Sequence, residues 1–242
     1  MSHRGGMADA PDSNSGPAMG AGSSPAGGTL LVYDFFAGTG SSTKAMEDAG
    51  HKVVRFDNDN QFDVDCTESI LNLDASELVQ TYGRPDFIWA SPPCTSFSVA
   101  SLSYHWGGGH RAYKPKTEAA VLGQRLVGHT LRLIAGLQPA RGWLMENPRG
   151  VLRKLEVVKG IPRSTVTYCQ YGDDRMKPTD IWGGIAGWLP NKRCSNGDNC
   201  HESAPRGSRT GTQGRSNAKE RSRVPYGLSF DVCERLQYAP IV

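Results

Sequence analysis

Short apolar runs alternate with amphipathic segments along most of this chain. The runs predict buried strands, and they lie at residues 30–36, 52–57, 86–90, 142–146 and 165–169. The segments predict helices, and they lie at residues 41–49, 75–81 and 117–137. Gly50 follows the first of them and is a typical helix stop. Strands that alternate with helices predict an α/β fold, in which helices cover both faces of a mostly parallel sheet.

Three stretches interrupt this alternation. In residues 1–28, Gly, Ala, Ser and Pro supply 20 of the 28 positions, and this composition predicts a disordered tail. Residues 95–116 are rich in Ser, Gly and aromatic side chains, and a stretch of this length is typical of a mobile active-site loop. Residues 190–223 are rich in Gly, Ser and Arg.

The positive charge of the chain is concentrated in the last of these stretches. The 242 residues carry a net charge of +3, whereas residues 191–223 carry eight basic and three acidic side chains. The rest of the chain is therefore slightly acidic. A polyanionic partner is one interpretation of this pattern, and a solvated basic loop is the other.

Composition and sequence pattern also indicate the cellular compartment of the protein. No apolar run approaches the roughly 20 residues of a membrane-spanning helix. The N-terminus lacks the charged start and apolar core of a secretory signal. The six cysteines lack the tight spacing of a disulfide scaffold. We therefore expect a monomeric, cytoplasmic protein with no membrane partner.

Unusual residues lie at the ends of four of the predicted strands, at the sheet edge where α/β proteins bind ligands. The first strand ends in Ala-Gly-Thr-Gly, in which Gly38 and Gly40 let the backbone approach a ligand. A dinucleotide fingerprint would need a third glycine where Thr43 stands, which disfavours a nicotinamide cofactor. Asp57 ends the next strand and could accept hydrogen bonds from two ribose hydroxyls. The alternative is an ordinary turn with a solvated Asp57.

The other two strand ends carry a thiol and a carboxyl group. Two prolines precede Cys94 and fix the direction of its thiol, as a nucleophile requires, although a lone cysteine is more often a small buried hydrophobe. Glu146 ends a buried strand, where burial raises a carboxyl pKa and lets the neutral group donate a proton. The alternative is a helix N-terminus that Asn147 caps and Pro148 begins.

Together and in this order, the three motifs resemble those of the cytosine-5 DNA methyltransferases, most of all the compact phage and prophage members. DFFAGTGS at 34–41 is similar to the S-adenosylmethionine turn of that family, SPPCTSFS at 91–98 to its nucleophile motif and MENPRG at 145–150 to its Glu-Asn motif. The resemblance runs from about Leu31 to the C-terminal helix. It implies a Rossmann-like, S-adenosylmethionine-dependent methyltransferase, cytoplasmic in a bacterial host if a phage encodes it.

The resemblance implies a role for each matching residue. Cys94 would add to carbon 6 of a flipped cytosine in double-stranded DNA, Glu146 would protonate N3, and Asn147 would support the site. Within the cofactor site, Asp57 would bind the ribose and Asp65 the adenine of S-adenosyl-L-methionine. The full set of cofactor-binding residues would be Asp34, Phe36, Gly38, Gly40, Asp57, Asp65 and Pro92.

The chain departs from the family where the Gln-x-Arg-x-Arg motif is expected. Residues 171–179 stand there, and Arg175 and Lys177 are the candidates for its work, Arg175 as a catalytic residue. The target-recognition region is short, which predicts a short or relaxed sequence preference. We expect the DNA-binding residues to be Ser98, Arg111, Lys177, Arg206, Arg209 and Arg215.

These features divide the chain into four parts. They are a disordered tail (1–28), a catalytic core (29–182), a short basic target-recognition segment (183–223) and a C-terminal helix that returns to the core (224–242). Within the basic segment, Cys194, Cys200 and His201 could supply three ligands of a structural zinc ion, with Cys169 or Cys233 as the fourth. The alternative is two small buried thiols and a surface histidine.

Other functions remain open on the sequence alone. An amino-group methyltransferase shares the cofactor turn but usually carries Asp/Asn-Pro-Pro-Tyr/Phe, whereas this chain has Ser-Pro-Pro-Cys. An RNA cytosine-5 methyltransferase would carry similar motifs in the same order, and a relative could transfer a modified group in place of methyl. A catalytically inactive DNA-binding homologue would need neither Cys94 nor Glu146.

Overall fold

A six-stranded sheet forms the centre of the protein, in a computed structural model that describes residues 28–109, 112–191, 193–202 and 218–241. Its strand order is β2-β1-β3-β6-β8-β7. The first four strands are parallel, and β8 runs antiparallel to both of its neighbours. The strands are β1 (Leu31–Phe35), β2 (Lys52–Phe56), β3 (Phe87–Ala90), β6 (Trp143–Pro148), β7 (Arg163–Thr167) and β8 (Pro178–Gly184).

Helices cover both faces of this sheet. The described helices are α1 (Lys44–Asp48), α2 (Ala75–Tyr82), α3 (Leu102–His105), α4 (Glu118–Leu137), α5 (Ala218–Ser222) and α6 (Tyr226–Tyr238). On one face, residues of α2 and α4 pack against Tyr33, Phe35 and Phe56. On the other, α1 and α6 pack against Val32 and Trp89. Because both faces are covered, β3 is buried along its whole length, which explains its unbroken apolar sequence.

Helix α1 is shorter than the predicted segment 41–49, because the residues before it bind the preceding strand. The hydroxyl groups of Ser42 and Thr43 donate hydrogen bonds to Asp34 at the end of β1, over 2.7 Å and 2.8 Å. Side chains that bond in this way compete with helix formation. The helix therefore begins at Lys44.

The end of the sheet differs from the prediction in two ways. Strand β6 continues through Asn147 and Pro148, so these residues do not cap a helix. Strand β8 was not predicted, since its buried positions include the polar residues Thr179 and Asp180. It separates β6 from β7, and β7 ends at Thr167, before the 3-10 turn Tyr168–Tyr171.

The loop 95–116 contains short regular elements. A 3-10 turn (Val99–Ser101) leads into α3, and a two-stranded hairpin pairs β4 (Trp106–Gly107) with β5 (Lys114–Pro115). Trp106 is buried, stacks on Phe97 and donates its indole N–H to the Ser96 carbonyl over 2.6 Å. The base of the loop is therefore packed into the core, and its mobility stays a prediction.

The C-terminal helix packs beside α1. The Ser229 hydroxyl of α6 accepts a hydrogen bond from the Ala45 amide over 3.2 Å. The predicted tail lies outside the described residues, apart from Gly28, and so does most of 203–223. In the described part of the chain, no helix combines the length and the hydropathy needed to cross a bilayer.

A buried ion pair supports β7 and β8, and its loss should destabilise the protein. Asp180 is fully buried, binds Arg153 and accepts a hydrogen bond from the Thr165 hydroxyl over 2.7 Å. An Arg153→Ala variant leaves this carboxylate without its main partner, so we expect a loss of about 3 kcal/mol of unfolding free energy. Urea denaturation would measure it. The matched control is Lys154→Ala at the exposed neighbouring position, with an expected change within about 0.5 kcal/mol. Equal unfolding midpoints for the two variants would contradict this role of Arg153.

Candidate active site

The carboxyl ends of the parallel strands border two adjoining features, a cavity and a cluster of ionisable groups. The cavity has a volume of about 290 Å³ and lies at the ends of β1, β2 and β3. Phe36, Ile70 and Leu122 provide part of its apolar lining, and Asp57 and Glu68 are acidic residues in its wall. An apolar pocket with a few acceptors is suited to a ligand that has both an aromatic ring and hydroxyl groups.

Asp57 is held in a fixed orientation at the cavity wall. Its Oδ2 accepts a hydrogen bond from the Gly38 amide over 2.9 Å, and its Oδ1 accepts one from the Asp59 amide over 3.0 Å. Each carboxylate oxygen keeps further acceptor capacity for a ligand hydroxyl. The neighbouring Phe36 has a φ of 61°, a left-handed conformation that is uncommon for such a residue and clusters at functional sites.

Gly40 and Asp34 stabilise the conformation of the glycine turn. Gly40 has a φ of 69°, a left-handed conformation that favours glycine, and a Cβ there would lie 2.7 Å from Nε of Arg55. Asp34 lies beneath the turn, where its Oδ2 accepts the Ser42 and Thr43 hydroxyls. Burial raises the pKa of Asp34 to about 6. The structure therefore places Asp34 inside the turn, whereas the sequence suggested contact with the cofactor.

Two other expected cofactor residues are not brought to the cavity. Oδ2 of Asp65 accepts a hydrogen bond from the Arg55 amide over 2.8 Å, which ties the loop after β2 back to that strand. Pro92 is buried, and its carbonyl accepts a hydrogen bond from Nδ2 of Asn147 over 2.8 Å. Its neighbour Pro93 lines the cavity instead.

Backbone contacts hold the thiol segment and the Glu-Asn segment together. The Cys94 carbonyl accepts hydrogen bonds from the amides of Phe97 and Ser98, over 2.9 Å and 3.1 Å. The Phe97 carbonyl in turn accepts one from the Val151 amide over 2.9 Å. A Cβ at Gly150 would lie 2.1 Å from that carbonyl oxygen, which explains the glycine at the end of MENPRG.

Glu146 is buried and oriented by Tyr168, a residue that the sequence did not single out. The Tyr168 hydroxyl donates a hydrogen bond to Oε1 of Glu146 over 2.8 Å. Burial raises the pKa of Glu146, while Lys177 and the hydrogen bond from Tyr168 oppose the rise. Burial also raises the pKa of Tyr168 well above its usual value, so its hydroxyl stays a donor. This environment favours a proton on Glu146 at higher pH than for a solvated carboxyl group.

Lys177 supplies positive charge to this cluster. Its Nζ lies 4.5 Å from the centre of the Tyr168 ring and donates a hydrogen bond to the Arg221 carbonyl over 3.0 Å. Burial and the nearby Glu146 raise the pKa of Cys94, whereas the charges of Lys177 and Arg221 lower it. Lys177 thus acts on the thiol from within the site, in a position that the sequence had suggested for DNA contact.

Arg175 is engaged elsewhere. Its backbone N–H and its Nε donate to Oδ1 of Asp173, each over 2.8 Å, and its Nη2 donates to Oδ2 over 2.7 Å. This bidentate pair occupies the Nε and Nη2 groups of the guanidinium. Of the two candidates for the missing Gln-x-Arg-x-Arg motif, the structure therefore brings Lys177, and not Arg175, to Cys94 and Glu146.

Few of the expected DNA-binding residues fall in the described part of the chain. The Ser98 hydroxyl accepts a hydrogen bond from the Ala100 amide over 3.3 Å and caps the turn Val99–Ser101. Arg111, Arg206, Arg209 and Arg215 lie outside the described residues.

The structure brings the expected zinc ligands together around the residue that follows Tyr168 in the sequence. Cys194, Cys200 and His201 lie around Cys169. Cys233, the alternative fourth ligand, is buried on α6, where its thiol lies 3.7 Å from the Ala45 carbonyl oxygen.

The fold and the site together define the class of protein. A parallel sheet covered on both faces, an antiparallel β8 beside β6 and a glycine turn at the cavity make the Rossmann-like fold of S-adenosylmethionine-dependent methyltransferases. No protein-family model matches the chain. Over 177 residues it is 32% identical to the "Probable DNA (cytosine-5)-methyltransferase" of Frog virus 3 (isolate Goorha), and the match covers 71% of this chain and 78% of the viral protein. The chain belongs to the cytosine-5 methyltransferase family.

Solved structures resemble the chain less closely. Entamoeba histolytica methyltransferase EhMeth is 12% identical, with a TM-score of 0.47, and the match covers 66% of this chain and 54% of that one. A DNMT2 variant from Spodoptera frugiperda is 15% identical, with a TM-score of 0.41, and the match covers 69% of this chain and 54% of that one. The match therefore spans about half the length of each of these structures.

Removing the charge of Lys177 should slow the reaction of Cys94 with an alkylating agent. The thiolate is the reactive form, and a nearby cation favours it, so Lys177→Met should raise the thiol pKa and shift the rate profile to higher pH. A rise of one unit would lower the rate about tenfold at a fixed pH below the pKa. Mass spectrometry of the Cys94 peptide after iodoacetamide treatment would measure the rate.

The control keeps the charge but changes the side chain. A Lys177→Arg variant should retain most of the reactivity of Cys94. If Lys177→Met and Lys177→Arg give the same pH profile as the unmodified protein, Lys177 does not act on the thiol.

Proposed function

We propose that this protein transfers a methyl group from S-adenosyl-L-methionine to carbon 5 of cytosine in double-stranded DNA. The observation that carries the proposal is the placement of Cys94 after β3 and of a buried Glu146 at the end of the adjacent β6, where Glu146 raises the pKa of the thiol and Tyr168 donates to the carboxyl group. A nucleophile and a proton donor at one edge of a cofactor cavity are the groups that this reaction needs.

The cavity residues fit the proposed cofactor. Phe36 and Ile70 supply apolar surface for an adenine ring, and Asp57 presents a fixed carboxylate to ribose hydroxyls. The cavity volume of about 290 Å³ is close to the lower end of the range for small-molecule sites. When bound, S-adenosyl-L-methionine supplies an electrophilic methyl group.

The residues of the chain would activate the cytosine. Carbon 5 is a poor nucleophile until the Cys94 thiolate adds to carbon 6, and Lys177 favours that thiolate. Glu146 holds the cytosine edge and gives its proton to N3, so the ring gains no net negative charge as the carbon–sulfur bond forms. After methyl transfer, carbon 5 loses its proton to a water molecule and the carbon–sulfur bond breaks. Cys94 leaves as a thiolate, and N3 returns its proton to Glu146.

Asn147 and Tyr168 would act as positioning residues. Asn147 binds the Pro92 carbonyl and thereby fixes the segment that carries Cys94. Tyr168 keeps its proton because of burial and aims the carboxyl group of Glu146. A cytosine within a duplex cannot reach these groups, so it must leave the stack.

Two features support DNA as the substrate. The viral relative carries the name of a DNA (cytosine-5)-methyltransferase, and residues 191–223 hold a surplus of five positive charges that can neutralise phosphates. RNA would also satisfy the charge, so substrate choice is part of the test.

A Cys94→Ser variant should lose methyl transfer, because a hydroxyl group is a far weaker nucleophile than a thiolate. The measurement is transfer of tritiated methyl from the cofactor to double-stranded DNA and, in parallel, to RNA. The matched control is Cys66→Ser, which changes a partly buried thiol outside the site and should retain activity.

Duplex DNA that contains 5-fluorocytosine should form a covalent adduct at Cys94.

The outcomes separate the competing functions. Activity in Cys94→Ser, or an adduct at another cysteine, overturns the covalent mechanism. Methyl transfer to RNA alone assigns the RNA enzyme, and DNA binding without any transfer assigns an inactive homologue.

Asp57→Ala should weaken cofactor binding, whereas Asp65→Ala should not. The two residues are carboxylates on the same loop, but only Asp57 lines the cavity, while Asp65 binds the Arg55 amide. Loss of one charge-assisted hydrogen bond costs about 1.5–3 kcal/mol, or roughly ten- to a hundredfold in affinity. Titration calorimetry with S-adenosylhomocysteine would measure both variants. An equal loss in Asp65→Ala would restore the adenine contact suggested by the sequence, and unchanged affinity in Asp57→Ala would remove the ribose contact.

A further inference from the structure

Four sulfur and nitrogen ligands converge beside the catalytic cluster. Cys169 lies on the 3-10 turn Tyr168–Tyr171, and the other three residues come from the loop 193–202. The three thiols and one imidazole nitrogen all lie within 4.8 Å of one another. The contributing residues are Cys169, Cys194, Cys200 and His201.

Three of four ligand separations are close to those of a tetrahedral metal site. Zinc–sulfur bonds near 2.3 Å and zinc–nitrogen bonds near 2.0–2.1 Å place tetrahedral ligands about 3.8 Å apart for two sulfurs and about 3.6 Å apart for sulfur and nitrogen. In the structure, the Cys200 and Cys169 sulfurs are 3.7 Å apart. Nδ1 of His201 lies 3.7 Å from the Cys194 sulfur and 3.5 Å from the Cys200 sulfur. The Cys169 and Cys194 sulfurs are closer, at 3.1 Å.

The loop has little else that could fix it in place. Between residues 191 and 202, the sequence contains no aliphatic or aromatic hydrocarbon side chain, so burial of apolar surface cannot hold this segment. Some hydrogen bonds do reach the core, among them the Cys194 amide to the Thr167 hydroxyl over 3.1 Å and the Glu202 amide to the Asp174 carbonyl over 3.0 Å. A metal ion bound by three of its side chains would supply the missing cross-link.

We propose that Cys169, Cys194, Cys200 and His201 bind one structural zinc ion that fastens the start of the basic segment to the catalytic core. Four protein ligands complete a tetrahedron and leave no position for substrate, which is the mark of a structural site. Cys169 directly follows Tyr168, whose hydroxyl orients Glu146. The ion therefore fixes the backbone on which the catalytic carboxyl group depends. This inference goes beyond the proposed methyl transfer and does not rest on it.

Metal content tests the proposal directly. The full-length protein, purified under reducing conditions without added metal, should contain about one zinc per chain by inductively coupled plasma mass spectrometry. Cys200→Ser and His201→Ala change an exposed and a partly exposed residue, so both variants should fold and should lose most of the zinc. Circular dichroism would check their folding. The control is Cys233→Ala, which removes a buried thiol outside the cluster and should keep the zinc.

Two results would overturn the zinc site. One is a protein that, with its thiols kept reduced, contains no zinc and takes up none from a zinc-buffered solution. The other is full zinc content in both Cys200→Ser and His201→Ala. Since zinc is measured without any methyl-transfer assay, loss of the site and loss of the proposed activity are distinguishable.

A second measurement shows where the ion acts. Removal of zinc by a chelator should speed cleavage by trypsin after Arg193, because the loop loses its cross-link to Cys169. In Cys200→Ser, cleavage should be fast with or without the chelator. Equal cleavage rates for the metal-loaded and chelated protein would contradict a structural role.

Discussion

The antiparallel pairing of β8 with β6 fixes the geometry on which the site depends. The register places Ile181 opposite Glu146 and Thr179 opposite Pro148, so Lys177 enters the site just before β8 begins. The same strand carries Asp180, which Arg153 and Thr165 hold from the other side. A shift of the strand register by one residue would move the Glu146 side chain out of the cluster and place Asp180 on the opposite face of the sheet. One register therefore sets the position of both the buried ion pair and the Glu146 carboxyl group.

Burial and charge act against each other within the cluster. Burial raises the pKa of both Cys94 and Glu146, which favours the neutral form of each. The proposed reaction needs the thiolate of one and the acid of the other. The charge of Lys177 opposes both shifts, and Arg221 adds to it at the thiol. Glu146 is buried, whereas Cys94 is partly exposed.

The sequence predicted the parts of the structure that depend on local apolar pattern. The parallel strands and the long helix α4 lie where the apolar spacing placed them. It did not predict β8, since the buried Asp180 makes that strand look polar and its partner Arg153 is 27 residues away. The sequence could not decide between Arg175 and Lys177 either, because the ion pair between Asp173 and Arg175 depends on side-chain geometry that a motif does not reveal. Tyr168 became visible only once β7 was folded against β8. The sequence had left Cys169 and Cys233 open as the fourth zinc ligand, and the fold places Cys169 beside the other three.

Both ends of the basic segment are fastened to the core. At its start, the Asn191 amide donates to the Tyr171 hydroxyl over 2.8 Å. At its end, the Val224 amide donates to the Ser41 hydroxyl over 3.0 Å, beside the glycine turn. The chain is thus attached to the core on both sides of this segment. The entropic cost of closing a flexible connection between two fixed points grows slowly, by about 0.6 kcal/mol for each doubling of its length. The stability of the central sheet therefore constrains the length of this segment only weakly.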